Sequence, residues 1–467
     1  MKTMYVLNWN TNVVRFKILL LSLLFIGCED FVEVDSPTGQ IFSADVFENE
    51  ATAEAAVTSL YGILRDDVLL TGTQYGVSVL MGLYADELDY YGAPGQPIDW
   101  FYQHQIIASN AVVKNIWDSS YNLIYMCNSA IDGIANSQTL EQEVKDQLIG
   151  EALFVRALVH FYLVNLYGDI PYITTTDYTV NQDVSRLSTA LVYSEILSDL
   201  IIAKSQISET YVSGERIRAN RYVVSALLAR VYVYLEDWEA AETESSIVIN
   251  ANSIYNFDGN ITDEFLKSSP STILQLQSKN EGDNTIEAGT FIFTEGPPVL
   301  LALNPDFVAS FEANDLRLEH WILNVSGDTE NWYAPYKYKL RDFTGSSMEY
   351  SIVFRIAEQY LLRAEARAHL SHISGAIDDL NSVRTRAGLL GTSATTAPEI
   401  LESILEERKF EFFTEHGHRW FDLKRTQRSE SVLSPVKPNW NISDLLLPVP
   451  EIELLMNPNL SPQNPGY

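Results

Sequence analysis

Two short stretches set large aromatic rings beside short hydrogen-bonding side chains, the residue types here best suited to chemistry. One is Tyr90-Tyr-Gly-Ala-Pro-Gly-Gln-Pro-Ile-Asp-Trp100 and the other is Asp328-Thr-Glu-Asn-Trp-Tyr-Ala-Pro-Tyr336. A pyranose ring presents C–H groups on one face and hydroxyls round its edge. Aromatic planes suit the face, and Asn, Asp, Gln or Arg suit the edge. Trp100 and Trp332 are therefore the candidate stacking platforms, with Tyr91 and Tyr333 behind them. Asp99 and Asn331, each next to a Trp, are placed to contact hydroxyls. The competing use of such rings is to fill a core, and that is the reading for Trp321 inside the apolar run Leu318 to Leu323.

Other chemistry finds less support. With 62 acidic residues, two carboxylates fall near each other by chance, so no catalytic acid–base pair is assigned. His416 and His418 flank Gly417, and His369 and His372 stand three apart, but both pairs sit in helix-packing or turn contexts. No metal site, cofactor or catalytic residue is assigned, and no Gly-rich phosphate loop or nucleophile elbow is present. Cys127, in an apolar helical stretch, reads as a buried inert thiol. A net charge of −31 repels nucleic acid and anionic headgroups and is compatible with neutral ligands such as sugars.

The N-terminus carries an address. A nine-residue apolar run follows Arg15 and Lys17 and ends in Gly27-Cys28. It is too short to span a hydrocarbon core, which takes roughly 20 apolar residues in a helix. Basic flank, short apolar core and small residue form a secretory signal over residues 1–27. The cysteine straight after it predicts cleavage before Cys28 and lipidation there, as in bacterial lipoproteins. Removing the signal leaves 28 bases against 62 acids, a net charge of −34.

The elements that must position the aromatic loops are mostly helical. Residues 51–65 and 114–135 carry helical apolar spacing, and from Val144 to Leu166 apolar residues step by three or four. Extra apolar residues widen that last stripe, predicting neighbours on two sides, and Gly168 and Pro171 end the helix. Two later segments look like copies of one unit. Ala229 stands 12 positions before Ala241, with Ser245 and Val248 after it; Ala364 stands 12 before Ala376, with Leu380 and Val383. That is tetratricopeptide spacing. Residues 71–110 and 255–350 break the rhythm and read as irregular excursions with β-like runs at Thr272–Ser278 and Tyr336–Leu340. The expected organisation is a single domain over 28–467. It divides into an N-terminal helical part (28–254), an irregular ligand-loop region (255–350) and a C-terminal helical part (351–467).

Motifs running through the mature chain resemble the SusD/RagB family of Bacteroidetes surface lipoproteins. They include Trp117-Asp-Ser-Ser-Tyr-Asn-Leu-Ile-Tyr-Met-Cys-Asn, Gly150-Glu-Ala-Leu-Phe-Val-Arg-Ala-Leu, Leu166-Tyr-Gly-Asp-Ile-Pro and Asn314-Asp-Leu-Arg317. Further on come Leu380-Asn-Ser-Val-Arg-Thr-Arg-Ala-Gly, Glu406-Glu-Arg-Lys-Phe-Glu-Phe-Phe, Gly417-His-Arg-Trp-Phe-Asp-Leu-Lys-Arg and the tail from Leu447-Pro-Val-Pro-Glu to Tyr467. The resemblance implies a mainly α fold, about four tetratricopeptide-like helix pairs packed against a loop-rich part with short strands. It implies a non-enzymatic role in which the protein binds an oligosaccharide, or less often a peptide, as the lid of a SusC-like TonB-dependent transporter. It places Cys28 in the outer membrane, facing outward. A surface hydrolase, or a structural lid without ligand affinity, are the alternative classes. The charged motif residues Glu151, Arg156, Glu365, Arg384, Arg386, Glu407, Arg408 and Asp422 are expected as buried or half-buried ion-pair partners.

Overall fold

The structure, a computed structural model, describes residues 46–257, 259–327 and 330–467. The signal peptide and Cys28 lie outside the described residues, as do Asp328 and Thr329 of the second aromatic loop. Helices of eight residues or more are α1 (Glu50–Asp66), α2 (Val77–Tyr84), α3 (Ala111–Asn136), α4 (Gln142–Tyr167), α5 (Thr189–Gln206), α6 (Arg221–Tyr234), α7 (Trp238–Ile249), α8 (Ile356–His369), α9 (Ile373–Arg386), α10 (Ala397–Glu411) and α11 (His418–Arg425). Six short strands accompany them: β1 (Leu88–Tyr90), β2 (Thr272–Leu276), β3 (Leu301–Leu303), β4 (Ile322–Ser326), β5 (Asn331–Pro335) and β6 (Ser351–Arg355). They form three separate antiparallel pairs, β1 with β3, β2 with β6 and β4 with β5. The fold is mainly α, as expected.

Local sequence explains where the helices begin and end. Asn49 caps α1 by accepting from the N–H groups of Ala51 and Thr52, and Asn110 caps α3 through Val112 and Val113. Thr396 and Glu399 close a capping box on α10. Gly168 ends α4 at φ +75°, a conformation that costs other residues.

The scaffold is a stack of helix pairs, α1/α3, α4/α5, α6/α7 and α8/α9, with α10 laid on the last pair. α4 lies at its centre, and every residue from Gly150 to Tyr167 is buried. That answers the widened stripe: neighbours cover this helix on all sides over its last five turns. The two repeat copies meet face to face, Ala229 and Ala241 packing with Leu362 and Ala366. Small residues at that crossing let the backbones approach closely, which is why the 12-residue spacing was readable.

The charged motif residues inside the stack are paired. Arg156 meets Asp199, Arg218 meets Glu151, Arg408 meets Asp422 and Arg425 meets Glu365. Arg384 reaches Glu407, and Arg386 reaches Glu264 and Glu411. At the heart of this network Arg317, fully buried, holds Asp315, Glu407 and Glu411. Glu411, ringed by Arg355, Arg386 and Arg317, is held far below the usual carboxylate range. Cys127 is buried and unpaired, and burial pushes its thiol up.

Two expectations need correction. Residues 71–110 are not wholly irregular, because α2 occupies 77–84 with all eight residues buried. Its sequence, Val-Ser-Val-Leu-Met-Gly-Leu-Tyr, is covered on every side and so shows no one-faced period. Tyr336–Leu340 is not a strand; the strand is β5 just before it. The Tyr336 N–H still reaches Trp321 O at 2.7 Å, and beyond it Lys337 turns inward to donate to the carbonyls of Glu411 and Phe413.

Candidate functional site

The two excursions meet. β1 pairs with β3 in the register Leu88↔Leu303 and Tyr90↔Leu301, and the Tyr91 N–H continues the ladder to Leu300 O at 2.7 Å. Farther along, the Thr290 hydroxyl donates to Gly72 O at 2.7 Å. Between these two ties opens a cleft of about 700 Å³ lined by Tyr75, Thr290, Phe293, Glu295, Val299 and Arg341. Its size falls within the range of small-ligand sites.

The lining is of two kinds. Tyr75 is 45% exposed and Phe293 half-buried, so both offer ring surface to a ligand. Arg341 is exposed and, among the described residues, is the one arginine with neither an ion pair nor a hydrogen bond. Every other described arginine is held by protein acceptors. Five N–H donors on a planar group with no protein partner are well suited to bind several hydroxyls or a carboxylate at once. Arg341 also lines a second cleft of about 330 Å³, with Phe343 and Asn280.

None of the residues singled out in the sequence, Tyr91, Asp99, Trp100, Asn331, Trp332 and Tyr333, is among those that line this cleft. Tyr91, tied by its N–H to the lining residue Leu300, is 38% exposed, and its phenol interacts with the Trp332 indole. Burial and the Asp89 and Glu330 carboxylates hold that phenol above its usual range. The aromatic loops are therefore brought together at Tyr91 and Trp332. Trp332 itself is only 7% exposed, its six-membered ring pressed against Gly296 and Gly327. It supports the chain beside Glu295 rather than presenting an open face, because the two glycines leave room for the ring to sink in. Asn331 is exposed at the start of β5, and Tyr333, half-buried, packs on the core. Asp99 is buried and accepts from the Gly95 N–H at 2.7 Å, so its carboxylate closes its own loop instead of facing solvent. Trp100 is half-buried and packs against the core.

Tyr75, Phe293 and Arg341 were missed. None stands in an aromatic-polar cluster, and only the meeting of two segments far apart in sequence makes them neighbours. The histidines are accounted for structurally. His416 bonds to Ile352 O, His369 stacks on Trp238 and His372 pairs with Glu242.

A stack of helix pairs carrying an aromatic-edged cleft on its irregular connections defines a binding module. Two family descriptions match the chain, "Starch-binding associating with outer membrane" over residues 49–233 and "SusD family" over 320–467. The chain belongs to the SusD/RagB family. It is 29% identical to the SusD-like protein P2 of Formosa agariphila, covering 97% of this chain and 99% of that one. Solved structures share the fold. A SusD superfamily protein from Bacteroides vulgatus superposes with a TM-score of 0.78 at 20% identity, covering 90% of this chain and all of the other. Surface glycan-binding protein A from Bacteroides thetaiotaomicron gives 0.76 at 20% identity, over 90% of this chain and all of that one.

Proposed function

We propose that this chain is a lipid-anchored glycan-binding protein of the outer membrane, facing outward. It captures an oligosaccharide in the cleft between Tyr75 and Arg341 and hands it to a SusC-like TonB-dependent transporter, over which it acts as the lid. The observation that carries this reading is one cleft where two distant segments bring Tyr75 and Phe293 together beside an unpartnered arginine, Arg341. Tyr75 and Phe293 supply ring faces, and Arg341 and Glu295 supply hydrogen bonds to ring-edge hydroxyls. Trp332 keeps the rim stiff, with Tyr333 behind it on β5; Trp100 and Asp99 hold the neighbouring loop. The starch-binding family description and a glycan-binding relative of the same fold support a sugar as ligand. The protein works by binding, not turnover.

Isothermal titration of residues 29–467 against maltooligosaccharides and β-glucan oligosaccharides tests the site. Saturable binding that falls at least tenfold in Tyr75→Ala and in Arg341→Ala is expected. Binding to none of them, or undiminished binding in both variants, would refute the assignment. Mass spectrometry of protein taken from native membranes tests the anchor. A bare Cys28 thiol would rule it out. Co-purification with a large barrel protein from the same membranes tests the partner.

A further inference from the structure

A second cleft, away from the excursions, has a different electrostatic character. It encloses about 780 Å³ where the ends of α4 and α11 meet the C-terminal tail. The chain as a whole has twice as many acids as bases, 62 against 31. This lining inverts that ratio, with Arg186, Lys424 and Arg425 facing a single acid, Asp169.

Three of the four charges are already satisfied. Arg425 is paired with Glu365 and Asp422. Arg186 donates to the carbonyls of Asp169 and Pro462 and to Asn464 Oδ1. The Asp169 carboxylate accepts from the Thr189 N–H and hydroxyl. Lys424 is the exception. Its ammonium donates once, to the Asn165 carbonyl, and among the described residues has no carboxylate within ion-pair distance. An ammonium carries three donors, so two remain for a ligand. Desolvation alone pushes the amine down to about 7, which is the signature of a charge removed from water without a counter-ion. The other titratable groups lining the cleft are Tyr193 and Tyr234, both held above their usual range by burial.

We propose that this cleft is a second ligand site, distinct from the excursion cleft, and that it takes an acidic sugar whose carboxylate sits on Lys424. A carboxylate supplies the missing counter-charge and accepts the two free N–H groups. Tyr234 offers a half-buried ring beside it, and Ser185 and Ser461 supply hydroxyl partners for the sugar edge.

Titration calorimetry with sodium glucuronate, with glucose as the neutral control, tests the proposal. Glucuronate binds and glucose does not. Since only the ammonium form binds the anion, affinity falls about tenfold from pH 6 to pH 8. Lys424→Arg keeps the binding and Lys424→Gln loses it, while titration of a neutral oligosaccharide at the Tyr75 cleft is unchanged in both. In the unaltered protein, the Lys424 side-chain nitrogen signal moves on adding glucuronate. Equal binding of glucose and glucuronate, an unmoved Lys424 signal, or full binding in a folded Lys424→Gln protein would overturn the proposal. Loss of oligosaccharide binding at the Tyr75 cleft is a separate failure, read in the same samples.

Discussion

The Thr290 hydroxyl donates to the Gly72 carbonyl at 2.7 Å, joining two segments of chain separated by most of the helical scaffold. Together with the β1–β3 pair, this bond fixes both walls of the cleft before any ligand arrives. A preformed cleft avoids the ordering cost that a floppy loop would pay on binding.

Tyr75 and Trp332 are expected to behave differently on truncation. Tyr75 is largely exposed, so Tyr75→Ala weakens oligosaccharide binding by about tenfold, roughly 1.4 kcal/mol, and leaves the melting temperature in place. Trp332 is buried, so Trp332→Ala costs about 3–5 kcal/mol of stability as well. Calorimetric binding beside a melting curve for each variant separates the two.

Gly296 is predicted to be intolerant of even one methyl group. A Cβ there would stand 2.0 Å from Trp332 Cζ3, and the ring is already backed by Gly327. Gly296→Ala therefore displaces the indole and destabilises the protein by about 1–3 kcal/mol, read from urea midpoints.

Glu87 sets a pH dependence. Burial, with Asp86 nearby, raises its pKa to about 8, so the folded protein keeps this proton where the unfolded chain, near the ordinary 4.5, has released it. Between those values the native state binds more protons, and this group's contribution to stability declines as pH rises from about 4.5 to 8. Glu87→Gln removes that decline. The melting temperature of Glu87→Gln relative to the parent should climb from pH 5 to about pH 8 and level off beyond it; a constant difference would contradict the assignment.

Arg317 anchors the buried network, and its loss leaves Asp315, Glu407 and Glu411 facing one another. Arg317→Met is expected to cost about 3–5 kcal/mol in chemical denaturation, although the new side chain is apolar and of similar length.

Much of the scaffold was legible because helices packed on one face leave a period in the sequence. The stripe from Val144 to Leu166 predicted α4, and Ala229/Ala241 predicted one side of the crossing seen in the packing. The other side of that crossing is Leu362 and Ala366, while Ala364 and Ala376 pack in the main core. α2 was invisible because a helix covered all round has no polar face to mark its turn. The residues picked from the two aromatic loops do not line the cleft, and the meeting of the loops at Tyr91 and Trp332 follows from strand pairing that no local pattern announces. Arg341 illustrates the limit. What sets it apart is the lack of a partner, and that emerges only when every other arginine's neighbours are known.

Apart from Thr290 and the buried Leu301, the side chains that line the excursion cleft contribute little to holding the molecule up. Val299 is 88% exposed and Arg341 has no protein partner, while the backbone beneath them is secured by β1, β3 and the Thr290 hydroxyl. Substitutions on such a surface usually change stability by less than about 0.5 kcal/mol. Natural variation is thus free to retune what this mouth prefers, one outward residue at a time, without endangering the frame. A lineage meeting a new food source can alter its palate by point changes long before it needs a new protein.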